Sequence, residues 1–274
     1  MSKIILITGA SKGFGKLWAE AFLKQGDKVI ATARDTSALN DLVTAYGDHI
    51  LPLKLDVNNR EEVFAAIGQA RQHFGRIDVL INNAGYGLFG TTEETTEAQA
   101  RLQMETNFFG SLWVVQAVLP VFRQQKSGHL IQVSSFLGLT TLPLLGLYNA
   151  SKFAVEGLIE TVDSEVAHLG IKTTLIEPNG YATDWAGASA TQTNADIEDY
   201  APVRAAFAKS GENPDIWGVP AATVAPLLQI VQSANPPKRL LFGKIAYHGI
   251  QQVYTQRLKE IEEWKEVSIA AHGH

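Results

Sequence analysis

The stretch Lys3-Ile4-Ile5-Leu6-Ile7-Thr8-Gly9-Ala10-Ser11-Lys12-Gly13-Phe14-Gly15 decides the fold. Its first half, Lys3 to Thr8, is a continuous β-branched and apolar run, as expected of a strand buried on both faces of a parallel sheet. Its second half spaces three glycines as GxxxGxG and feeds a helical pattern (Leu17, Ala21, Phe22) that ends near Gly26. Strand, glycine-rich turn and helix together place exposed backbone N–H groups at a helix N-terminus, where a pyrophosphate can sit. Gly9, Ser11, Lys12, Gly13, Phe14 and Gly15 would line that cradle. A tight connection is the other reading of such a turn, and the flanking strand and helix favour the cradle.

Working outward, Lys28 to Ala33 reads as the second strand, with Arg34 at its end. A dinucleotide site that bonds a ribose 2′-hydroxyl places an acid about 20 residues beyond its glycines. Here Ala33 and Arg34 stand instead, with Lys12 in the glycine turn, and two cations suit a 2′-phosphate. NADP(H) is the expected dinucleotide. The competing reading is that Arg34 pairs with Asp35 in solvent.

Further strand–helix units follow: a helix from about Thr36 to Tyr46, a strand Ile50 to Leu55 ending at Asp56-Val57, a helix Arg60 to Phe74, and a strand Ile77 to Ile81 ending at Asn82-Asn83-Ala84-Gly85. Right-handed crossovers between such units give an α/β, doubly wound parallel sheet of Rossmann type flanked by helices, in a single domain over residues 1–274. Glu97 to Gln124 reads as one long helix with Pro120 kinking its end. Asn107 in its middle is a poor helix former, there either to bend the backbone or to serve a site. His129 to Ser135 is strand five, a helix runs from near Tyr148 to about Leu169, and strand six is Ile171 to Glu177, broken by Pro178-Asn179-Gly180. Residues 181–219 lose regular periodicity and are expected to form a substrate loop or lid. Pro220 to Ser233 looks helical and Arg239 to Phe242 is a short last strand. A helical extension at about 245–266 carries Tyr247, Tyr254, Leu258, Ile261 and Trp264 at helical spacing, expected to pack in a core or an interface.

The chemistry gathers at Tyr148-Asn149-Ala150-Ser151-Lys152. Residues four apart stack on one helix face, so a lysine ammonium would sit beside a phenol whose free pKa is ~10, and lower it toward the working range. Ser135, at the end of strand five, would bring a hydroxyl to the same place. Phenol, hydroxyl and ammonium together can move a proton on and off an oxygen. The apolar loop 136–147 between them fits either a hydrophobic, bulky substrate or ordinary packing and subunit contact.

The totals narrow the field. The 274 residues are 46% hydrophobic and 19% charged, ordinary globular values. A net charge of −5 argues against a general nucleic-acid surface. No cysteine is present, so disulfides, thiolate metal sites and cysteine nucleophiles are all excluded. No metal is expected, no signal-like segment opens the chain, and no apolar run is long enough for a membrane span, which points to a cytoplasmic protein.

With these pieces placed, the sequence resembles the classical short-chain dehydrogenase/reductase family. TGxxxGxG at 8–15, NNAG at 82–85, Asn107, Ser135, YxxxK at 148–152 and the proline-glycine turn at 178–180 occur in family order. The resemblance implies that Tyr148 is the acid/base, Ser135 holds the substrate oxygen, Lys152 binds the nicotinamide ribose and tunes Tyr148, and Asn107 orders a relay water. It implies that Asp56 and Val57 contact adenine, and that Asn83, with Ala84 and Gly85, lies near the cofactor ribose. Pro178, Gly180 and Thr183 would border the nicotinamide end, and Arg34 matches the NADP-preferring members. Asn179 departs from the usual proline-glycine turn. The segment 148–157 looks most like hydroxysteroid or retinol dehydrogenase-like members, so the expected activity is NADPH-dependent reduction of a hydrophobic ketone, or the reverse oxidation of a secondary alcohol. The resemblance also makes a homodimer or homotetramer the expected assembly. A non-catalytic NADP-binding sensor is the alternative from another class. Reduction of a conjugated double bond is disfavoured by the four-residue Tyr-to-Lys spacing.

Overall fold

The computed structural model describes residues 2–183, 185 and 190–273. Its first half alternates β1 (Ile4–Ile7), α1 (Gly13–Lys24), β2 (Lys28–Ala33), α2 (Asn40–Tyr46), β3 (Ile50–Lys54), α3 (Arg60–Phe74) and β4 (Val79–Asn82). The short β5 (Leu88–Phe89) precedes α4 (Glu97–Met104) and α5 (Gly110–Gln125), then β6 (Gly128–Val133), α6 (Gly146–Val166) and β7 (Ile171–Pro178). The chain finishes with β8 (Thr191–Gln192), α7 (Ala201–Gly211), α8 (Val224–Gln232), β9 (Arg239–Phe242), α9 (Lys244–Glu263) and α10 (Lys265–Ala270).

Seven strands form one parallel sheet in the order β3-β2-β1-β4-β6-β7-β9. Their two-residue period sorts each strand between two cores. Ile4 and Leu6 join Leu80, Leu130 and Leu175 under α3, α5 and α6. Ile5 and Ile7 join Val29, Ile81 and Ile131 under α1, α2 and α8. With both faces covered, strands of nearly unbroken Ile, Leu and Val are what the sheet requires. On the second face, Trp18 is fully buried and its indole N–H donates to Thr223 Oγ1 at 2.8 Å, tying α1 to the segment leading into α8.

The expected long helix over 97–124 is three elements. Thr96 and Gln99 close a capping box that starts α4. A π-helical turn then occupies Glu105–Phe109, with Asn107 inside it, before α5 begins. Pro120 does not end the helix, which runs on to Gln125. The region expected to be one helix over Thr36 to Tyr46 is a 3-10 turn (Thr36–Leu39) followed by α2, and α6 gives way to another 3-10 turn at Ala167–Leu169.

One expectation needs correction and another is narrowed. Residues 181–219 are not irregular throughout: they hold β8 and the eleven-residue α7, although 184 and 186–189 lie outside the described residues. No α7 residue is buried, so no apolar period announces it. The aromatic spacing of the C-terminal extension does give a helix, but it is not a core face within this chain. Tyr247, Leu258, Ile261 and Trp264 are more than half exposed, while only Ala246 and Ile250 are buried. No helix among the described residues is long and apolar enough to cross a membrane.

Candidate active site

The site lies along the C-terminal ends of the sheet strands. At the end of β1, Gly9 has φ +66° and Gly13 φ +54°, backbone that favours glycine. A Cβ on Gly15 would stand 2.3 Å from the Gly9 carbonyl oxygen, so turn and helix close on each other only with hydrogen there. Helix α1 starts from Lys12 with no side-chain cap and no acid in its first turn. Its leading N–H groups therefore keep the character that suits an anion. Phe14 stacks on Trp18 at 4.8 Å and meets Tyr181 edge-on at 5.0 Å, so it forms part of the wall. Ser11, Lys12 and Gly13 are at the surface of the turn.

The β4 end is stapled to this turn. Thr8 Oγ1 accepts from the backbone N–H groups of Asn83 and Ala84 at 2.9 and 3.0 Å. The Asn83 side chain donates to Thr8 O at 2.9 Å and to Gly9 O at 3.3 Å, so it is spent on shaping the glycine turn. Arg34 is exposed at the end of β2, and Asp35 is not its partner: the Asp35 carboxylate accepts from Ser37 N–H at 2.9 Å. Asp56 accepts from Asn58 N–H at 3.0 Å, and Val57 packs where a Cβ on Gly110 would touch it at 2.9 Å.

Tyr148, Lys152 and Ser135 come together as expected, all of them buried. Ser135 follows the β6 run, accepts from Leu137 N–H at 3.1 Å and donates to Pro178 O at 3.4 Å, with its hydroxyl near enough to Tyr148 to favour the phenolate. The Lys152 ammonium donates to Val133 O at 3.0 Å and stands 5.6 Å from the centre of the Tyr148 ring. A Cβ on Gly85 would lie 3.1 Å from Asn107 Oδ1 and 3.9 Å from Lys152 Nζ, so glycine leaves this corner open. Asn107 accepts from Tyr86 N–H at 3.1 Å and donates to Tyr86 O and Ser151 Oγ at 3.0 Å each. Its amide therefore holds the β4 loop against α6, next to the pair. Gly180 lies where a Cβ would meet Trp217 at 3.1 Å, and Thr183 Oγ1 accepts from Trp185 N–H at 3.3 Å.

One electrostatic expectation is reversed within the chain. Burial pushes the Tyr148 phenol well above its ordinary range, the nearby Ser135 hydroxyl opposing only in part. Burial also lowers Lys152 to about 8, against the pull of Glu156. Desolvation disfavours phenolate and ammonium alike. Tyr148 is held as the neutral phenol.

An apolar box that the motifs did not reveal surrounds the phenol. Leu137 and Leu145 from the 136–147 loop are buried against Tyr148, with Phe89, Phe136, Trp185 and Phe207 packed beside them. Trp185 lies 4.9 Å from the Tyr148 ring and 5.5 Å from Phe89, and Phe207 of α7 is 6.3 Å from Phe89. The 136–147 loop serves two ends, since Leu142 on it is exposed. Phe207 carried no signal in the sequence because it joins this box only in three dimensions.

Residues 3–209 match the short chain dehydrogenase family. An oxidoreductase of Botryotinia fuckeliana, BOA17, is 40% identical over 274 residues, covering 99% of this chain and all of the relative. A 3-ketodihydrosphingosine reductase of Bacteroides thetaiotaomicron is 38% identical, covering 89% of this chain and 88% of the relative. The crystal structure of a short-chain dehydrogenase from Streptomyces avermitilis superposes with a TM-score of 0.91 at 35% identity, over 98% of both chains. Two more distant folds hold nicotinamide cofactors. ElxO with NADP bound has a TM-score of 0.73 at 26% identity, over 88% of this chain and 96% of that one. A Burkholderia phymatum enzyme in complex with NAD has a TM-score of 0.80 at 25% identity, over 95% and 94%. A phenol, a hydroxyl and a buried lysine beside a glycine-lined helix start, on a sheet shared with these proteins over nearly its whole length, make this chain a member of the short-chain dehydrogenase family of oxidoreductases.

Proposed function

We propose that the protein is an NADPH-dependent reductase of hydrophobic, bulky ketones or aldehydes, able to run in reverse on secondary alcohols. The observation that carries this reading is the neutral, buried Tyr148 phenol placed beside Ser135 and faced by Trp185, Phe89 and Phe207. The uncapped start of α1, the left-handed glycines and the exposed Arg34 fit a dinucleotide with a 2′-phosphate, which Arg34 and Lys12 would hold. Reduced nicotinamide, when bound, supplies hydride. The protein's own part is to hold the carbonyl oxygen through the Ser135 and Tyr148 hydroxyls, stabilising negative charge as it develops. Tyr148 then gives its proton to that oxygen, because an alkoxide is a stronger base than a phenolate. Lys152 places positive charge beside the phenolate that results, and the aromatic box excludes water from the exchange. Segment 190–211 would cover the substrate, and the apolar box accounts for a preference for bulk. A Bacteroides relative named as a 3-ketodihydrosphingosine reductase is in keeping with a keto substrate. A sensor using the same fold would have no need for three buried proton-handling groups at one point.

The test measures NADPH and NADH consumption with aromatic, steroidal and small aliphatic ketones, alongside Tyr148→Phe. Turnover with NADPH on bulky ketones is expected, falling at least ~100-fold in the variant while NADPH binding persists. Tight NADPH binding without turnover on any carbonyl would move the assignment to the sensor.

A further inference from the structure

One turn beyond Lys152 on the same face of α6 stands Glu156, a carboxylate with 4% of its surface exposed. Burial pushes this carboxyl up while Arg239 opposes, so it persists as a carboxylate only with partners. Glu156 has Arg239, whose guanidinium Nη1 contacts its Oε2 and also donates to Glu177 Oε1 at 2.8 Å, while Nη2 reaches Glu160 at 2.7 Å. Arg239 begins β9, beyond residues 3–209 that match the family. The last strand therefore reaches back to the catalytic helix.

We propose that Glu156 is a positioning residue for the reaction: Arg239 fixes its carboxylate one helical turn from Lys152, and that fixed negative charge keeps Lys152 as an ammonium within the site. The significance for turnover rests on the reductase reading; the electrostatic link to Lys152 does not. Lys152 has no carboxylate within bonding distance among the described ion pairs, its one described hydrogen bond being to Val133 O. Burial lowers Lys152 to about 8, and Glu156 is the group that opposes this. The charged and titratable groups facing the pair are Tyr148 and Glu160 on α6, Glu177 on β7, Arg239 on β9, and Tyr254 and Arg257 on α9. Arg239 draws on Glu160 and Glu177 as well, so neutralising Glu156 leaves no buried cation without a partner.

The experiment follows Lys152 directly by NMR titration of lysine labelled at Cε and Nζ, assigned with Lys152→Met. Glu156→Gln is expected to lower the Lys152 pKa by about one unit or more, and Glu156→Met, of similar length and uncharged, should do the same. Glu156→Asp, which keeps the charge, should restore most of the shift. In the kinetic arm, the alkaline limb of kcat/KM for NADPH-dependent reduction should move down with the titration. Variants that lose stability yet leave Lys152 titrating as in the wild type would overturn the proposal and leave Glu156 a structural residue. A shifted Lys152 in a protein that reduces no ketone would uphold the link and refute the reductase reading alone.

Discussion

At the scale of single residues, the pattern of Ser135, Tyr148 and Lys152 carried its own meaning, because four-residue spacing on a helix fixes a shared face. What spacing could not convey is the balance between attraction and burial. Lys152 was expected to acidify Tyr148, but a phenolate with no water around it is the less stable form, and the phenol stays protonated. Arg34 was readable for a similar local reason, since it ends a strand at a fixed distance from the glycines. It stands exposed while Asp35 is engaged with Ser37. Arg34→Ala is expected to lower kcat/KM with NADPH by roughly 10- to 100-fold, the loss of one charge-assisted contact, and to leave NADH nearly unchanged. Parallel steady-state kinetics with the two cofactors check this; an equal loss with both would show that Arg34 acts elsewhere. Glu156 and Arg239 belong to no motif, and their meeting is a product of the sheet order.

At the scale of elements, strands and buried helices were legible wherever one side faced a core, with α3 and β9 at their expected bounds. The failures share a cause. Helix α7 buries no residue, so apolar periodicity had nothing to report, although its Ala, Arg and Lys content favours a helix. The aromatic spacing of α9 was real, but periodicity shows that side chains share a face and says nothing of what covers it. The π turn at Glu105–Phe109 has no compositional signature beyond the misplaced Asn107. Helix α7 is held by Arg204, which donates to both carboxylate oxygens of Glu94 at 3.0 and 3.1 Å and to Ile197 O. Arg204→Ala should therefore loosen the segment: KM for a bulky ketone rises several-fold, kcat changes less, and limited proteolysis cuts faster between 190 and 211. Unchanged proteolysis would show that backbone pairing alone holds the segment down.

At the scale of the whole molecule, doubly wound topology followed from repeated strand–helix units and the handedness of their crossovers. The contact of the last strand with α6 did not. Stability should carry a pH signature from β6, where His129 is buried and pushed down to about 3 by burial, with Lys172 and Lys3 adding to the effect. Thr174 donates to Pro237 O at 2.8 Å, so the His129 Nε2 contact at 2.9 Å is best made by a neutral ring with hydrogen on that nitrogen. A histidine with a depressed native pKa stabilises the fold above its unfolded value of ~6.5, and that contribution is lost as pH falls from there toward 3. Acid should thus remove on the order of 4 kcal/mol through this one group, and His129→Gln should flatten the limb between pH 6 and 4 in urea melts. An unaltered limb would place the acid sensitivity in other groups.

The small sheet of β5 and β8 bears on how such enzymes diversify. Thr191 and Thr193 donate their backbone N–H groups to the carbonyls of Gly87 and Phe89 at 3.0 and 2.8 Å, bonds that almost any side chain permits. The seam at 191–193 is thus stitched by main chain, so a laboratory can vary the side chains there while Arg204 and Phe207 keep the segment that follows in place.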